Sequence, residues 1–471
     1  MITPFIRLMK QEGIKEEVIR TFEAYYNLLA QGEKGLIGEE EINPPAEKNL
    51  VAYDKIRHNS RNSLLKHIAV IKLNGGLGTS MGLSKAKSLL PVKNNLNFLD
   101  IIGRQVLTLR SISGYDILLL FMNSYNTDED TLKYLEKYPD LGKQDLPLSF
   151  LQNKFPRIRQ DNLLPYENKD KKLMWNPPGH GDIYTAIGEY LDKMIAKGYR
   201  YAFVSNADNL GAIVDTSIPA YMEDNRIPFL MEVCLRSPMD KKGGHLCEDK
   251  SGQLLLREIA QCPEKDLPVF QDINYYKYFN TNNLWIDLRA LEWHIISNEG
   301  LMLLPLIVNP KVVEDTAVYQ LETAMGSAIS LFNNSKALIV SRERFVPVKK
   351  TTDLLALWSD VYELNEQYQI VLKRGVEKAP VIELEEQYYG KIEDMQKRFS
   401  KGIPSLNSCK ELRIYGDVSF GEDVICEGKV TLKTSSPVFV QNCLLTGEVD
   451  LNAVVAKRKT GQEDKDGFQS C

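Results

Sequence analysis

No two cysteines in this 471-residue sequence form a C-x-x-C pair. The seven present (Cys234, Cys247, Cys262, Cys409, Cys426, Cys443 and Cys471) are scattered and odd in number. That pattern argues against both zinc ligation and a disulfide framework, and a reducing compartment fits it. A basic excess is missing too. Lys and Arg number 58 against 63 Asp and Glu, a net charge of −5, which argues against a nucleic-acid partner. Long apolar runs are absent as well. The longest, at 117–122 and 301–308, fall short of the ~20 residues a membrane span needs, and Pro305 interrupts the second. Glu12, Glu16 and Glu17 near the start do not suit a signal peptide, so a cytoplasmic protein with no membrane partner is expected. What remains is ordinary for a globular chain, 43% hydrophobic and 26% charged, with the length of roughly two to four domains.

Ile14, Val18, Phe22, Tyr25 and Leu29 recur at helical spacing and predict one apolar helical face. The polar stretch 31–48, containing Gly and Pro, reads as a linker, so residues 1–48 form the first unit. From 49 to 350 short apolar runs alternate with helical patterns. Strands are expected at 69–73, 117–121 and 201–204, and helices at 98–109 and 183–197, the second closed by Gly198. That alternation predicts an α/β domain with a mostly parallel sheet. Thr351 or Thr352 can cap a helix bearing Leu354, Leu355, Trp358, Val361 and Tyr362, and a second helical pattern covers 383–400. Residues 351–402 thus read as a helical linker. Beyond it Leu412, Val418, Val424 and Val430 recur every six residues, as do Ile414, Phe420, Cys426, Leu432, Val438 and Leu444. Such a hexad predicts a parallel β-helix over 403–456. An antiparallel meander is the alternative, because period-two strands also coincide at six. The charged stretch 457–471 is expected to be disordered.

The richest motif begins at Val70 and reads V-I-K-L-N-G-G-L-G-T-S-M-G. An apolar strand runs into Gly75, Gly76, Gly78 and Gly82, with Lys85 and Lys87 following. Glycine lets backbone N–H groups approach a phosphate chain without a Cβ in the way. The spacing matches neither G-x-G-x-x-G nor the P-loop, yet so dense a run of glycines with two lysines points to polyphosphate binding. At 177–182, P-P-G-H-G-D holds His180 between Gly179 and Gly181 at a helix start, where ring and N–H groups can meet an anion. At 201–209, Y-A-F-V-S-N-A-D-N places Asp208 beyond the carboxyl end of a strand, where ligands of open α/β sheets bind. A carboxylate beside phosphates there is a natural magnesium ligand. K-K-G-G-H at 241–245, F-N-T-N-N-L-W at 279–285 and V-P-V-K-K-T-T-D at 346–353 add cations and clustered amides suited to a sugar phosphate. Alone, each of these three more often marks a turn or a solvated charge pair.

Together with F-M-N-S-Y-N-T-D and Y-Q-L-E-T-A-M-G, and in this order, these motifs resemble the UTP–glucose-1-phosphate uridylyltransferases (UDP-glucose pyrophosphorylases) of the eukaryotic type, most like protozoan members. The resemblance runs from 51 to 362 and more weakly to 452. It implies a Rossmann-like, GT-A-like nucleotidyltransferase domain with an N-terminal helical segment and a C-terminal left-handed parallel β-helix. It also implies formation of UDP-glucose and pyrophosphate from UTP and glucose 1-phosphate, with Mg²⁺ as cofactor. Carried over residue by residue, it makes Lys87 and Lys349 catalytic. UTP is expected at Leu73, Asn74, Gly75, Gly76, Lys87, Met122, Gln152 and Gly179. The sugar phosphate is expected at His180, Asn206, Gly244, Glu258, Asn280, Asn282 and Lys349, and the metal at Asp208. Two features depart from the wider superfamily: Ala86 precedes Lys87 where proline is usual, and Lys350 follows Lys349, leaving two candidates for the inward lysine.

The chemistry this implies needs no strong general base, since a sugar phosphate with its second pKa near ~6 is already an anion at neutral pH. Positioning and charge neutralisation must then carry catalysis. Two rival readings stand beside it. The acceptor sugar could be galactose or an N-acetylhexosamine, or the chain could be a non-catalytic nucleotide-binding scaffold. The joint presence of Lys87, Asp208 and Lys349 argues against the scaffold. The oligomeric state is left open, with the C-terminal repeat as the surface through which copies would associate.

Overall fold

Continuous apolar runs build the centre of the molecule, in a computed structural model that describes residues 2–453. The strands are Leu50–Ala52 (β1), Ile68–Asn74 (β2), Leu118–Asn123 (β3), Ser149–Leu151 (β4), Tyr201–Asn206 (β5), Phe229–Leu235 (β6), Tyr278–Asp287 (β7) and Lys336–Ile339 (β8). They lie side by side in the order β1-β8-β6-β7-β5-β2-β3-β4. All neighbouring pairs are parallel except those of β7, which runs against both β5 and β6. A strand buried on both faces has no polar side to show, which is why β3 reads Leu-Leu-Leu-Phe-Met and β2 Ile-Ala-Val-Ile up to the buried Lys72. Along β2, Ile68 and Val70 face one apolar cluster, Ala69 and Ile71 the other.

Helix Phe98–Ser113 covers the first face. It starts at a reciprocal cap, Asn97 Oδ1 accepting from the Asp100 N–H at 2.9 Å and Asp100 Oδ2 from the Asn97 N–H at 3.0 Å. It ends at Gly114, whose φ of 71° is left-handed. The second face is covered by Ile183–Ala186 and Gly188–Ala196, two short helices where one is expected from 183 to 197, and by Leu288–Ser297. The N-terminal helix Glu16–Ala30 buries Val18, Phe22, Tyr25 and Leu29 against Phe155, Trp175, Leu306 and Leu321.

The stretch 31–48 is docked rather than free. Ile42–Asn43 pairs with strand His245–Asp249, and the Glu39 carboxylate meets the buried Arg257 guanidinium at 2.8 Å. No local pattern announces such long-range partners. Helix Thr351–Trp358 carries Leu354, Leu355 and Trp358 as expected but stops before Val361 and Tyr362, the latter opening a strand, and the helical pattern at 383–400 resolves into a strand and two short helices.

The expectation of a C-terminal left-handed parallel β-helix is corrected here. Past residue 358 the sheets are of both senses and do not curl strongly into one coil. Tyr362–Leu364 and Ile370–Leu372 pair antiparallel. Val381–Leu384 (β9), Cys409–Tyr415 (β10), Val424–Lys433 (β11) and Cys443–Asp450 (β12) form a separate four-stranded parallel sheet, and Val418–Phe420 pairs with Val438–Val440 in another. The register sets Leu412 beside Val430 and Ile414 beside Leu432, so the six-residue series marks buried, stacked positions as far as Leu432; it then loses phase, and Cys443 and Leu445 are buried where Leu444 is expected. Alternation of side chains specifies which residues face inward, not how the strands curl. Irregularities between Cys409 and Glu411 and between Glu427 and Val430 further break the repeat. The tail expected to be disordered from 457 lies outside the described residues.

One apolar cluster joins these C-terminal strands to the central sheet. It runs from Val70, Ile102 and Phe203 through Leu354, Tyr389 and Phe420 to Leu451. Among the described residues, no helix is long and apolar enough to cross a membrane.

Candidate active site

The carboxyl ends of β2, β3 and β5 meet at one edge of the sheet, and register places Leu73 between Met122 and Asn206. The chain leaves β2 through the glycine loop. Gly78 and Gly82, at φ 68° and 78°, flank a tight turn that L side chains rarely tolerate. A side chain added at Gly76 would meet nothing within 4 Å, so the loop is open there. Its base is held by the turn after β3. Ser124 Oγ donates to the Gly75 carbonyl at 2.9 Å, and Thr127 Oγ1 to the Asn74 carbonyl at 2.8 Å. Asn74 points its own amide inward, donating to Asn123 Oδ1 and Thr131 Oγ1. Its side chain therefore braces the loop.

Gln152, just past β4, donates from Nε2 to the Gly179 carbonyl at 2.7 Å, and its Oε1 lies against Gly75. It therefore bridges the glycine loop to the P-P-G-H-G turn. That turn is clamped to Thr323, whose backbone carbonyl stands 2.4 Å from where a Cβ on Gly179 would be. His180 Nδ1 accepts from the Met325 N–H at 2.9 Å. Burial pulls its pKa down to about 4, so the ring is neutral and its proton sits on Nε2.

Lys87 returns to the glycine loop by donating its N–H to the Gly76 carbonyl at 3.1 Å. Its ammonium reaches Asp208 Oδ2 at 2.5 Å. Asp208 in turn accepts on its carbonyl from the Val348 N–H at 3.2 Å, which brings in Lys349. The Lys349 ammonium lies 5.5 Å from the Phe279 ring centre and 5.7 Å from that of Phe345. Its charge partly offsets the desolvation that raises the Glu258 carboxyl to about 6. Gly244 packs on that carboxylate so closely that a Cβ would come within 2.6 Å of it.

Asn280 and Asn282 come from an irregularity in the β6–β7 pairing, where register shifts between Glu232 and Val233. The extra residues put Asn282 at φ 59°, a left-handed position asparagine tolerates, and the two amides bond each other at 2.8 Å. A side chain on Gly326, next to Met325, would touch Asn280 Nδ2 at 3.0 Å, so the His180 turn and the asparagines adjoin.

The expected residues therefore fall into two neighbouring groups. One, of 73–76, 87, 152 and 179, surrounds the glycine loop, with Met122 beside Leu73 on β3 but its side chain buried in the second apolar cluster. The other, of 244, 258, 280, 282 and 349, surrounds β7. His180, Asn206 and Asp208 lie between them. Lys85 is exposed on the loop surface. Asp353 went unread in the sequence as a site group. Its Oδ2 accepts from the Lys349 and Lys350 N–H groups at 2.6 and 2.8 Å. Burial raises its pKa, while those bonds and the charges of Lys87 and Lys349 lower it. The available signal was its place three residues into a helix after Lys350, a capping-box position.

A glycine loop beside a pair of asparagines, with Lys87 on Asp208 between them and Lys349 close to Glu258, suits transfer of a nucleotidyl group onto a sugar phosphate. The molecule is on these grounds a nucleotidyltransferase. Residues 19–427 match the family model of UTP–glucose-1-phosphate uridylyltransferase, and the chain belongs to that family. It catalyses formation of UDP-glucose and pyrophosphate from UTP and glucose 1-phosphate. The UTP–glucose-1-phosphate uridylyltransferase of Solanum tuberosum is 39% identical over 455 residues, 93% of this chain and 92% of that one. Among solved structures, UDP-glucose pyrophosphorylase of Leishmania major in open and closed forms superposes with a TM-score of 0.88 at 40% identity, over 95% of this chain and 99% of that one. UDP-glucose phosphorylase of Trypanosoma brucei superposes with a TM-score of 0.84, also at 40% identity, over 95% of this chain and 99% of that one.

Proposed function

We propose that Lys87, Asp208 and Lys349 carry the reaction, with UTP on the glycine-loop side and glucose 1-phosphate on the β7 side. The observation that supports this best is the Lys87–Asp208 pair at 2.5 Å, where the two groups meet. A phosphate oxygen of the sugar attacks the α-phosphorus of UTP in line, and pyrophosphate leaves. Two anions must be brought together while charge grows on the leaving group. Lys87 would neutralise the α- and leaving phosphates, and Lys349 would bridge the sugar phosphate to the α-phosphate. Neutral His180 would donate from Nε2 to a substrate oxygen. Glu258 and the paired asparagines would take the sugar hydroxyls. Met122 and Gln152 would meet the uracil.

Magnesium fits this donor set in one way. Among the described residues, no group of three or more His, Cys, Asp or Glu could enclose an ion. Mg²⁺ bound to a nucleotide needs only one or two protein carboxylates, the phosphates and water supplying the rest. Asp208 would hold it, and when bound it supplies charge withdrawal from the phosphates. The catalytic unit would be residues 49–350, which contain every residue assigned here, preceded by a helical segment at 1–48 and followed by the linker 351–402.

The test is pyrophosphate release with UTP across a panel of sugar 1-phosphates, for wild type and for Lys87→Ala. Release with glucose 1-phosphate that survives loss of Lys87 at wild-type rate would remove the assignment.

A further inference from the structure

Asp208 and Lys349 stand on different segments; besides the bond from the Val348 N–H to the Asp208 carbonyl, the side chain of Asn209 ties the two together. It is 1% exposed and uses every donor and acceptor its amide has. Nδ2 donates to Asn283 Oδ1 at 3.1 Å and to the Arg344 carbonyl at 3.2 Å. Oδ1 accepts from the Gly211 N–H at 3.2 Å and the Val346 N–H at 2.9 Å. One partner belongs to its own loop, one to β7, and two to the segment that leads into Lys349. Asn209 also makes an isolated antiparallel bridge with Pro347. The two segments touch backbone to backbone, since a Cβ on Gly211 would stand 2.3 Å from the Glu343 carbonyl oxygen.

A buried polar layer supports this brace. The Glu232 carboxylate, 0% exposed, accepts from Arg344 Nε at 2.8 Å and Nη2 at 2.5 Å, from Asn283 Nδ2 at 3.1 Å and from Trp285 Nε1 at 2.9 Å. Arg344 Nη2 also holds the Ile213 carbonyl at 3.0 Å, and buried Lys72 holds that of Ala212 at 3.0 Å while donating to Ser205 Oγ. So two successive carbonyls of the Asp208 loop are gripped by buried cations. An apolar filling of the same shape would serve stability as well or better, because burying an ion pair costs desolvation that its attraction scarcely offsets. What a fully satisfied polar network gives is one geometry.

We propose that Asn209, seated on the Glu232–Arg344 pair, is a positioning residue that sets Asp208 and Lys349 at the separation transfer requires. The proposal rests on the roles assigned above to those two residues. Asn209 faces the protein on all sides and touches no substrate. Its loss should therefore leave UTP binding alone and slow the chemistry, as a misplacement of about 1 Å can slow a reaction by roughly 10²-fold.

The experiment is a double-mutant cycle on the full chain with Asn209→Ala and Lys349→Ala, measuring kcat, the Kd for UTP and circular dichroism. Asn209→Ala should lower kcat by roughly 10²-fold with UTP affinity within about threefold of wild type. In the Lys349→Ala background it should lower kcat no further, because the group it positions is gone. If the alanine variant does not fold, the isosteric Asn209→Asp takes its place; it sets an acceptor against Asn283 Oδ1 and the Arg344 carbonyl and should act in the same direction. A slow Lys349→Ala with a normally fast Asn209 variant overturns the proposal and leaves the role of Lys349 standing. Independent, multiplying losses in the double variant also overturn it. A fast Lys349→Ala removes the role of Lys349 itself, and the positioning proposal with it.

Discussion

The Lys87 ammonium stands 2.5 Å from Oδ2 of Asp208, with only 14% and 24% of the two side chains exposed. The pair closes the gap between the glycine loop and the loop after β5. It is shielded enough for its charges to matter and open enough for a phosphate to come between them. In the proposed role, Lys87 would exchange part of that contact for the phosphate.

Lys87→Ala should reduce kcat by about 10²–10³, the usual consequence of removing one electrostatic contact to a transition state. Steady-state kinetics with saturating UTP and glucose 1-phosphate measures it. Turnover within a few-fold of wild type would mean that Lys87 only anchors Asp208.

Asp208→Asn should shift the magnesium requirement upward with the fold unchanged by circular dichroism. The amide keeps the shape but withdraws the charge a divalent cation needs. A magnesium titration superimposable on that of wild type would reduce Asp208 to a partner for Lys87.

Lys349 and Lys350 should separate cleanly. The Lys349 ammonium lies by Phe279 and Phe345 and its charge is felt by Glu258 and Asp353. Lys349→Ala should cut kcat by about 10² or more, and Lys350→Ala by less than about threefold. The reverse ranking would move the catalytic role one residue along the chain.

Glu258 predicts a pH dependence of product binding. Burial raises its carboxyl from 4.5 to about 6, so the ion proposed to accept sugar hydroxyls is lost as pH falls through about 6. UDP-glucose itself has no group titrating there, unlike glucose 1-phosphate. Calorimetric affinity for UDP-glucose should therefore weaken below about pH 6, and the Glu258→Gln variant should show a flat profile. The stability effect has the opposite sign. Between 4.5 and about 6 the folded state binds more protons than the unfolded one, so this group lowers stability as pH rises through that window.

Phe420, fully buried and stacked on Phe399 with ring centres 5.0 Å apart, anchors the C-terminal strands. Phe420→Ala should cost roughly 3–5 kcal/mol in denaturant unfolding while kcat at low temperature stays near wild type. A loss below about 1 kcal/mol would mean that the site relaxes around the cavity.

What could be read in advance were the places where an apolar run stops at glycine or at polar residues. The ends of β2 and β5 announce themselves this way because doubly buried strands have no polar alternation to blur their limits. Asp353 and Asn209 both escaped notice. Each acts through hydrogen bonds to backbone N–H groups: those of Asp353 are local and follow a capping-box spacing, whereas Asn209 reaches a segment more than a hundred residues away, which leaves no mark in sequence. The irregularity that turns Asn282 into the left-handed region depends on its pairing with β6, and the docking of 31–48 depends on Arg257, more than two hundred residues away. The C-terminal hexad was legible as a list of buried residues up to Leu432 but not at Leu444 and not as a curvature, because phase, twist and closure depend on irregular strand ends that a period cannot express.

The unbroken apolar cluster from β2 to Leu451 has a thermodynamic consequence. Segments that share one interior cannot come apart at separate temperatures unless each can close its own surface, and here neither can do so without the other. The chain from the catalytic sheet to β12 should behave as one cooperative unit, so that amide protons on β11 and β2 exchange at comparable, globally limited rates. Cutting the gene before β9 and grafting another C-terminal region would then be a problem of rebuilding a core, not of joining two finished parts.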